Sequence, residues 1–186
     1  MKKLITLVGC LFFKLKKCYS FFIREYIISK FSSVGSDVYI GQNGVFTYEN
    51  IEIGDDVYIG ANAVFQSSYG KIIIGNHVMF GPGVHIHGGN HKIKEVGKLM
   101  KHTSPKQQGD AGFVIIEDEC WIGSNAIILS NVTIGQGSVI GAGAVVTKSI
   151  PPYSVYTGVP QARLRNRFTE EELKKHLNVL KGSDIK

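Results

Sequence analysis

Aliphatic side chains recur at every sixth residue through IEDECW IGSNAI ILSNVT IGQGSV IGAGAV VTKSI, falling on Ile116, Ile122, Ile128, Ile134, Ile140 and Val146. A small or apolar residue stands four places after each: Cys120, Ala126, Val132, Ser138, Ala144 and Ile150. A helix repeats its apolar positions at three and four, and a half-buried strand at two, so neither yields six. Six suits a coil with three flat faces, one hexapeptide to a face, with the aliphatic residue inward and the small one at a corner. That is the signature of a parallel β-helix, whose coils bury their interiors against the coils above and below.

The same period starts earlier, at Val34. It continues through Ile53, Ile59 and Phe65 and then through Ile74, Phe80 and Ile86, which sets coil starts near 34, 53, 74, 116 and 134. The extra residues before 53 and 74 predict small insertions at corners. Between Ile86 and Val114 the period disappears, and GGNHKIKEVGKLMKHTSPKQQGDAGF predicts a loop over 88–113 that leaves the stack and returns in phase. A loop that long in a compact repeat usually carries function.

The ends follow other rules. Leu4, Val8, Leu11, Leu15, Tyr19, Phe22 and Tyr26 are spaced as one stripe of a helix, with Lys14, Lys17 and Arg24 on the opposite side. The longest uncharged run, Leu4–Phe13, is too short to span a bilayer, and KLKK follows it in place of a cleavage site. Two roles stay open for this helix: a cap on the open end of the stack, or peripheral contact with an anionic membrane through residues 1–30. After Ile150 a Pro-rich stretch ends the coils, and Thr169 with Glu172 forms a capping box that opens a helix to about Lys181. The expected organisation is therefore a helical segment over 1–31, the β-helix over 32–160 with its extruded loop, and a basic segment with a helix over 161–186.

Composition adds two points. The chain has 186 residues, and its three Cys (10, 18 and 120) show no metal-site spacing, which fits a reducing cytoplasm. The net charge of +6 belongs to residues 1–30, where seven bases meet only Glu25; the remainder is balanced. A neutral body has no excess charge with which to track a phosphate backbone, so no nucleic-acid partner is expected.

GGNHKI at 88–93, VIIEDECWIGSNAIIL at 114–129, IGAGAVVTKSIPPYSVYTGVP at 140–160 and RFTEEEL at 167–173 resemble the hexapeptide-repeat acyltransferases. Within that group the closest similarity is to sugar O-acetyltransferases of capsule and lipopolysaccharide synthesis. The resemblance implies an all-β fold, a left-handed parallel β-helix, assembled as a homotrimer with the active site between subunits. It also implies acetyl-CoA as donor and a sugar or lipid-linked glycan as acceptor.

Moving acetyl from a thioester to a hydroxyl requires a group to take the hydroxyl proton, and a neutral imidazole is suited to it near neutral pH. The resemblance puts that role on His91. Glu95, Asp110 or a backbone carbonyl could orient its ring. Asn90 and Trp121 are the expected acceptor contacts, and Ser124, Ala142, Thr147, Lys148, Arg163 and Arg165 the expected coenzyme A contacts. Attack is expected to be direct, with Cys120 filling a corner and His102 at the surface. Two rivals share the fold: a chloramphenicol- or streptogramin-type acetyltransferase, and a γ-class carbonic anhydrase-like zinc protein using His85, His87 and His91. No metal is expected on the first reading.

Overall fold

A computed structural model describes residues 2–90, 92, 99–103, 112–158 and 163–182. The body is a three-sided stack of parallel coils, as the hexapeptides predict. Helix α1 (Lys2–Ile28) leads into a first coil of β1 (Ser33–Val34), β2 (Tyr39–Ile40) and β3 (Val45–Phe46). The second coil holds β4 (Ile51–Ile53), β5 (Tyr58–Ile59) and β6 (Val64–Gln66), and the third β7 (Ile72–Ile74), β8 (Met79–Phe80) and β9 (His85–His87). The fourth holds β10 (Val114–Ile116), β11 (Trp121–Ile122) and β12 (Ile127–Ile128), and the fifth β13 (Val132–Ile134), β14 (Val139–Ile140) and β15 (Val145–Val146). Strands β16 (Ser154–Thr157) and β17 (Arg163–Asn166) and helix α2 (Glu170–Gly182) close the chain.

Each face is one parallel sheet. Sheet A runs β1-β4-β7-β10-β13, sheet C runs β3-β6-β9-β12-β15, and sheet B runs from β2 through β5, β8, β11 and β14 to β16. Residues 163–166, expected as part of a basic tail, instead form β17, which pairs antiparallel with β16 at the end of sheet B. No six-residue period marks it, because its side chains are all exposed.

The interior is a set of ladders. Ile59, Phe80, Ile122 and Ile140 stack in sheet B, Phe65, Ile86, Ile128 and Val146 in sheet C, all at most 1 % exposed. Burying each such side chain contributes roughly 1.5–3 kcal/mol, so the regular columns carry the fold. The residue two places earlier also points inward: Cys120, Ala126, Val132, Ser138 and Ala144 are buried. They are small because they sit beside the turns.

Two of the three edges turn in a fixed way. Between sheets A and B the left-handed conformation recurs at Asp37, Asp56, His77, Glu119, Gly137 and Tyr153; between sheets B and C it recurs at Asn43, Asn62, Gly83, Asn125 and Gly143. The third edge, from sheet C to the next strand of sheet A, takes every insertion. Val114 pairs with Val132, 18 residues on. Ser33 pairs with Glu52, 19 on, and Ile51 with Ile72, 21 on. Ile72 pairs with Val114, 42 on, an excess of 24 over 18 that forms the extruded loop.

The ends attach unequally. Ile27 and Phe31 pack on the first coil, Phe31 meeting Phe46 and Tyr48 at centroid distances of 5.4 and 4.9 Å. Only the last turns of α1 therefore cap the stack, and Val8, Leu11 and Leu15 stand about 60 % exposed. Among the described residues no helix is long and apolar enough to cross a membrane. At the other end α2 opens on the expected capping box: the Thr169 amide donates to Glu172 Oε2 (2.8 Å) and the Glu172 amide to Thr169 Oγ1 (3.3 Å). The helix is clipped along the A–B edge, where Arg167 Nη1 donates to Glu119 Oε1 (2.9 Å) and to the Gly137 carbonyl (2.7 Å).

Candidate active site

The insertion edge builds a polar hollow on the body. A groove of about 440 Å³ is lined by Thr47, Gln66, Ser68, His87, Asn90 and Leu129. Each comes from the end of a sheet C strand or the corner beyond it, so successive coils deliver their side chains side by side. A second hollow of about 370 Å³ shares Thr47 and Ser68 with it and continues to Tyr48, Glu49, Asn50 and Lys30. The two adjoining hollows present hydroxyls, amides and the aromatic rings of Phe46 and Tyr48, with Lys30 Nζ 4.9 Å from the Tyr48 centroid.

The backbone of this edge is held by side chains. Asn50 Nδ2 donates to the Ser67 carbonyl (2.7 Å), and the Ser67 amide to Thr47 Oγ1 (2.7 Å). Where the extruded loop leaves, Asn90 Nδ2 donates to Ser130 Oγ (3.0 Å) on the following coil. His87 lies in the groove, its ring centroid 5.8 Å from that of His85. Burial pushes the His87 pKa below the ordinary imidazole value, and the neighbouring His85 adds to the shift. His87 is therefore neutral at pH 7.

The expected site residues divide into groups. His91, with Glu95 and Asp110 as possible orienting groups, lies outside the described residues. Its neighbour Asn90 stands at the groove. Ser124 and Ala142 lie on the B–C edge, and Thr147 and Lys148 lie exposed just past β15, so these four bracket sheet C. Arg163 and Arg165 lie on β17, in sheet B. Trp121 is half exposed on the outer face of sheet B, between Met79 and Val139. In a three-sided stack, sheet B lies opposite the C–A edge. Within one chain, Trp121 and the two arginines therefore do not meet Asn90.

His102 is exposed, as expected. Cys120 is buried, and burial pushes its thiol up to about 12, as suits a corner-filling residue. Among the described residues no group of three or more His, Cys, Asp or Glu is placed to hold a metal. Sequence reasoning missed Thr47, Gln66 and Ser68. The available signal was the short insertions before 53 and 74, which share an edge with the long loop.

Residues 113–148 match the family described as bacterial transferase hexapeptide (six repeats), and residues 33–65 match the hexapeptide repeat of succinyl-transferase. A maltose O-acetyltransferase structure from Clostridium difficile 630 is 34 % identical with a TM-score of 0.67, covering 79 % of this chain and 75 % of that one. A hexapeptide-repeat acetyltransferase from Vibrio cholerae O1 biovar eltor, solved with acetyl-CoA, is 29 % identical with a TM-score of 0.67, covering 77 % of this chain and 75 % of that one. The galactoside O-acetyltransferase of Escherichia coli K12 is 35 % identical over 143 residues, 74 % of this chain and 65 % of that protein. The chain belongs to the hexapeptide-repeat transferase family. It spans less than half of two other curated relatives that it matches, 42 % of one and 46 % of the other.

Proposed function

We propose that this protein moves acetyl from acetyl-CoA to a hydroxyl of a sugar in surface-polysaccharide biosynthesis, capsule or O-antigen. The observation that carries the reading is the polar groove at the edge from which the His91 loop departs, in a chain related to galactoside and maltose O-acetyltransferases. Hydroxyls and amides such as Thr47, Ser68, Gln66 and Asn90 suit a hydroxyl-rich acceptor.

The chemistry needs few parts. The neutral His91 imidazole accepts the acceptor hydroxyl proton while the oxygen attacks the thioester carbon. The carbon–sulfur bond then breaks, and the coenzyme A sulfur takes the proton from the imidazolium. The Trp121 and Gly123 amides already donate to the Ser138 and Ile140 carbonyls, so another backbone N–H of that turn would stabilise the oxyanion. No acyl-enzyme is needed, and a buried thiol with a pKa of about 12 makes Cys120 a poor nucleophile.

The working unit in this reading is a homotrimer, because the expected contacts lie on different faces of one chain. Sheet C of one protomer, with Asn90, Ser124, Thr147 and Lys148, would face sheet B of its neighbour, with Trp121, Arg163 and Arg165. Both faces carry outward apolar ladders. Tyr39, Tyr58, Met79 and Trp121 are about half exposed on sheet B, and Val45 and Val145 on sheet C. Such patches ordinarily mark interfaces. Coenzyme A phosphates would meet Lys148 and the two arginines.

Thiol release from acetyl-CoA, measured across a panel of sugars beside His91→Ala, tests the reading. Sugar-dependent release that falls at least about a hundredfold in the variant is expected; unchanged release removes His91 from the chemistry. Chloramphenicol belongs in the panel, since the chloramphenicol acetyltransferase of Klebsiella aerogenes is 41 % identical over 63 residues, 34 % of this chain and 30 % of that protein. Faster turnover of chloramphenicol than of any sugar would move the assignment to drug inactivation.

A further inference from the structure

We infer that α1 is a docking element for an anionic lipid surface. The helix has two separate faces. Ile23, Arg24 and Ile27 turn toward the first coil, where they line a hollow of about 550 Å³ with Tyr39, Gln42 and Phe46. Arg24 Nη2 donates to the Val38 carbonyl there. The other face carries Val8, Leu11, Leu15 and Tyr26, which are 58–62 % exposed. By helical geometry that stripe is centred roughly 120° around the axis from Ile27 and extends about 27 Å from Val8 to Tyr26.

Charge selects the occupant. The whole net charge of +6 resides in residues 1–30, against a neutral remainder. Helical spacing places position 14, expected on the opposite side, with position 16 along the two borders of the stripe, and positions 3 and 17 behind it. An apolar stripe bordered by lysines is the arrangement of a helix that lies in the headgroup plane, with its stems in the acyl boundary and its ammonium groups at lipid phosphates. A second copy of the chain is a poorer occupant, because it would bring two segments of the same charge together. Among the described residues no helix is long and apolar enough to cross a membrane.

The geometry leaves the candidate active site open. Lys30, two residues beyond α1, lines the hollow that runs on to Thr47, Ser68 and Asn90. A glycan carried on a lipid would enter the groove from that end, a point that rests on the sugar-acetyltransferase reading; the docking itself does not.

The test is cosedimentation of the full chain with phosphatidylcholine vesicles, with and without phosphatidylglycerol, at low and high salt. Binding that requires phosphatidylglycerol and is lost at high salt is expected. At low salt, K14E/K16E/K17E should weaken it at least about tenfold, and Leu11→Ser with Leu15→Ser should weaken it too, with unchanged melting curves. Thiol release with a soluble sugar should stay at the wild-type level in all of these, which separates loss of docking from loss of catalysis. Equal binding to both vesicle types, or none, overturns the inference. So does a wild-type oligomer that falls apart in the Leu11→Ser, Leu15→Ser variant, which would assign the stripe to a second copy.

Discussion

Asn90 Nδ2 donates to Ser130 Oγ at 3.0 Å, joining the residue before His91 to the corner of the coil that follows the loop. The loop base is thereby tied on both sides of a 24-residue excursion, the 42-residue interval between Ile72 and Val114 less the 18-residue coil. Without that bond the stem of the loop would be held by less. Ser130→Ala should lower kcat/KM for a sugar acceptor roughly two- to tenfold, the worth of one hydrogen bond. The melting temperature should stay unchanged. An equal loss in stability would mean the bond only braces the corner.

The close stacking of coils sets a second expectation. A Cβ added to Gly123 would lie 2.5 Å from the Ala142 amide nitrogen and 2.8 Å from the Ile140 carbonyl. Backbone cannot retreat there without breaking the Gly123 amide bond to the Ile140 carbonyl (2.8 Å). Gly123→Ala should therefore destabilise the fold by about 1–3 kcal/mol, read from the denaturant midpoint. Gly143→Ala meets open space but holds a φ of +67°, so its cost should be about 1 kcal/mol, from backbone strain alone.

Much of this was legible in the sequence, for one physical reason. Each inward position sees only the same position one coil up and down, so burial has a fixed period. The columns through Ile59, Ile122 and Ile140 follow directly from it. The capping box at Thr169 and Glu172 was local and equally readable. Contacts between distant parts were not. Nothing in the period says that Trp121 and Asn90 fall on opposite sides of one chain, because Asn90 lies in the aperiodic loop beyond Ile86. Strand β17 was hidden because it buries nothing, and the groove because Thr47, Gln66 and Ser68 differ in type and share only an edge.

The clip on α2 gives a third expectation. Arg167 touches both Glu119 and the Gly137 carbonyl, while His176 Nε2 lies 3.4 Å from Glu119 Oε2 and its ring 4.9 Å from the Phe168 centroid. Arg167→Ala leaves a partly buried carboxylate with only His176. Amide exchange in α2 should quicken to match a loss of about 1 kcal/mol, with the coils unaffected. Uniform loosening of the whole chain would show that the clip holds the stack itself.

Acid should release the same helix from its other anchor. The Thr169 backbone amide, then its side chain, hold the Glu172 carboxyl below its ordinary pKa of 4.5. A depressed folded pKa means that the stabilisation is complete above that ordinary value and fades as pH falls through the folded one. Exchange at the first turn of α2 should therefore accelerate only below about pH 4.5, and Glu172→Gln should flatten that dependence. Acceleration already at pH 6 would overturn the cap as the cause.

Two edges of the prism turn the chain at a fixed residue count, and only the third tolerates more. The barrel of stacked isoleucines is therefore insulated from whatever is added there, since extra residues leave and rejoin between strands already in register. On the sugar-acetyltransferase reading proposed above, swapping that margin between relatives should transplant acceptor preference while the folding core remains untouched.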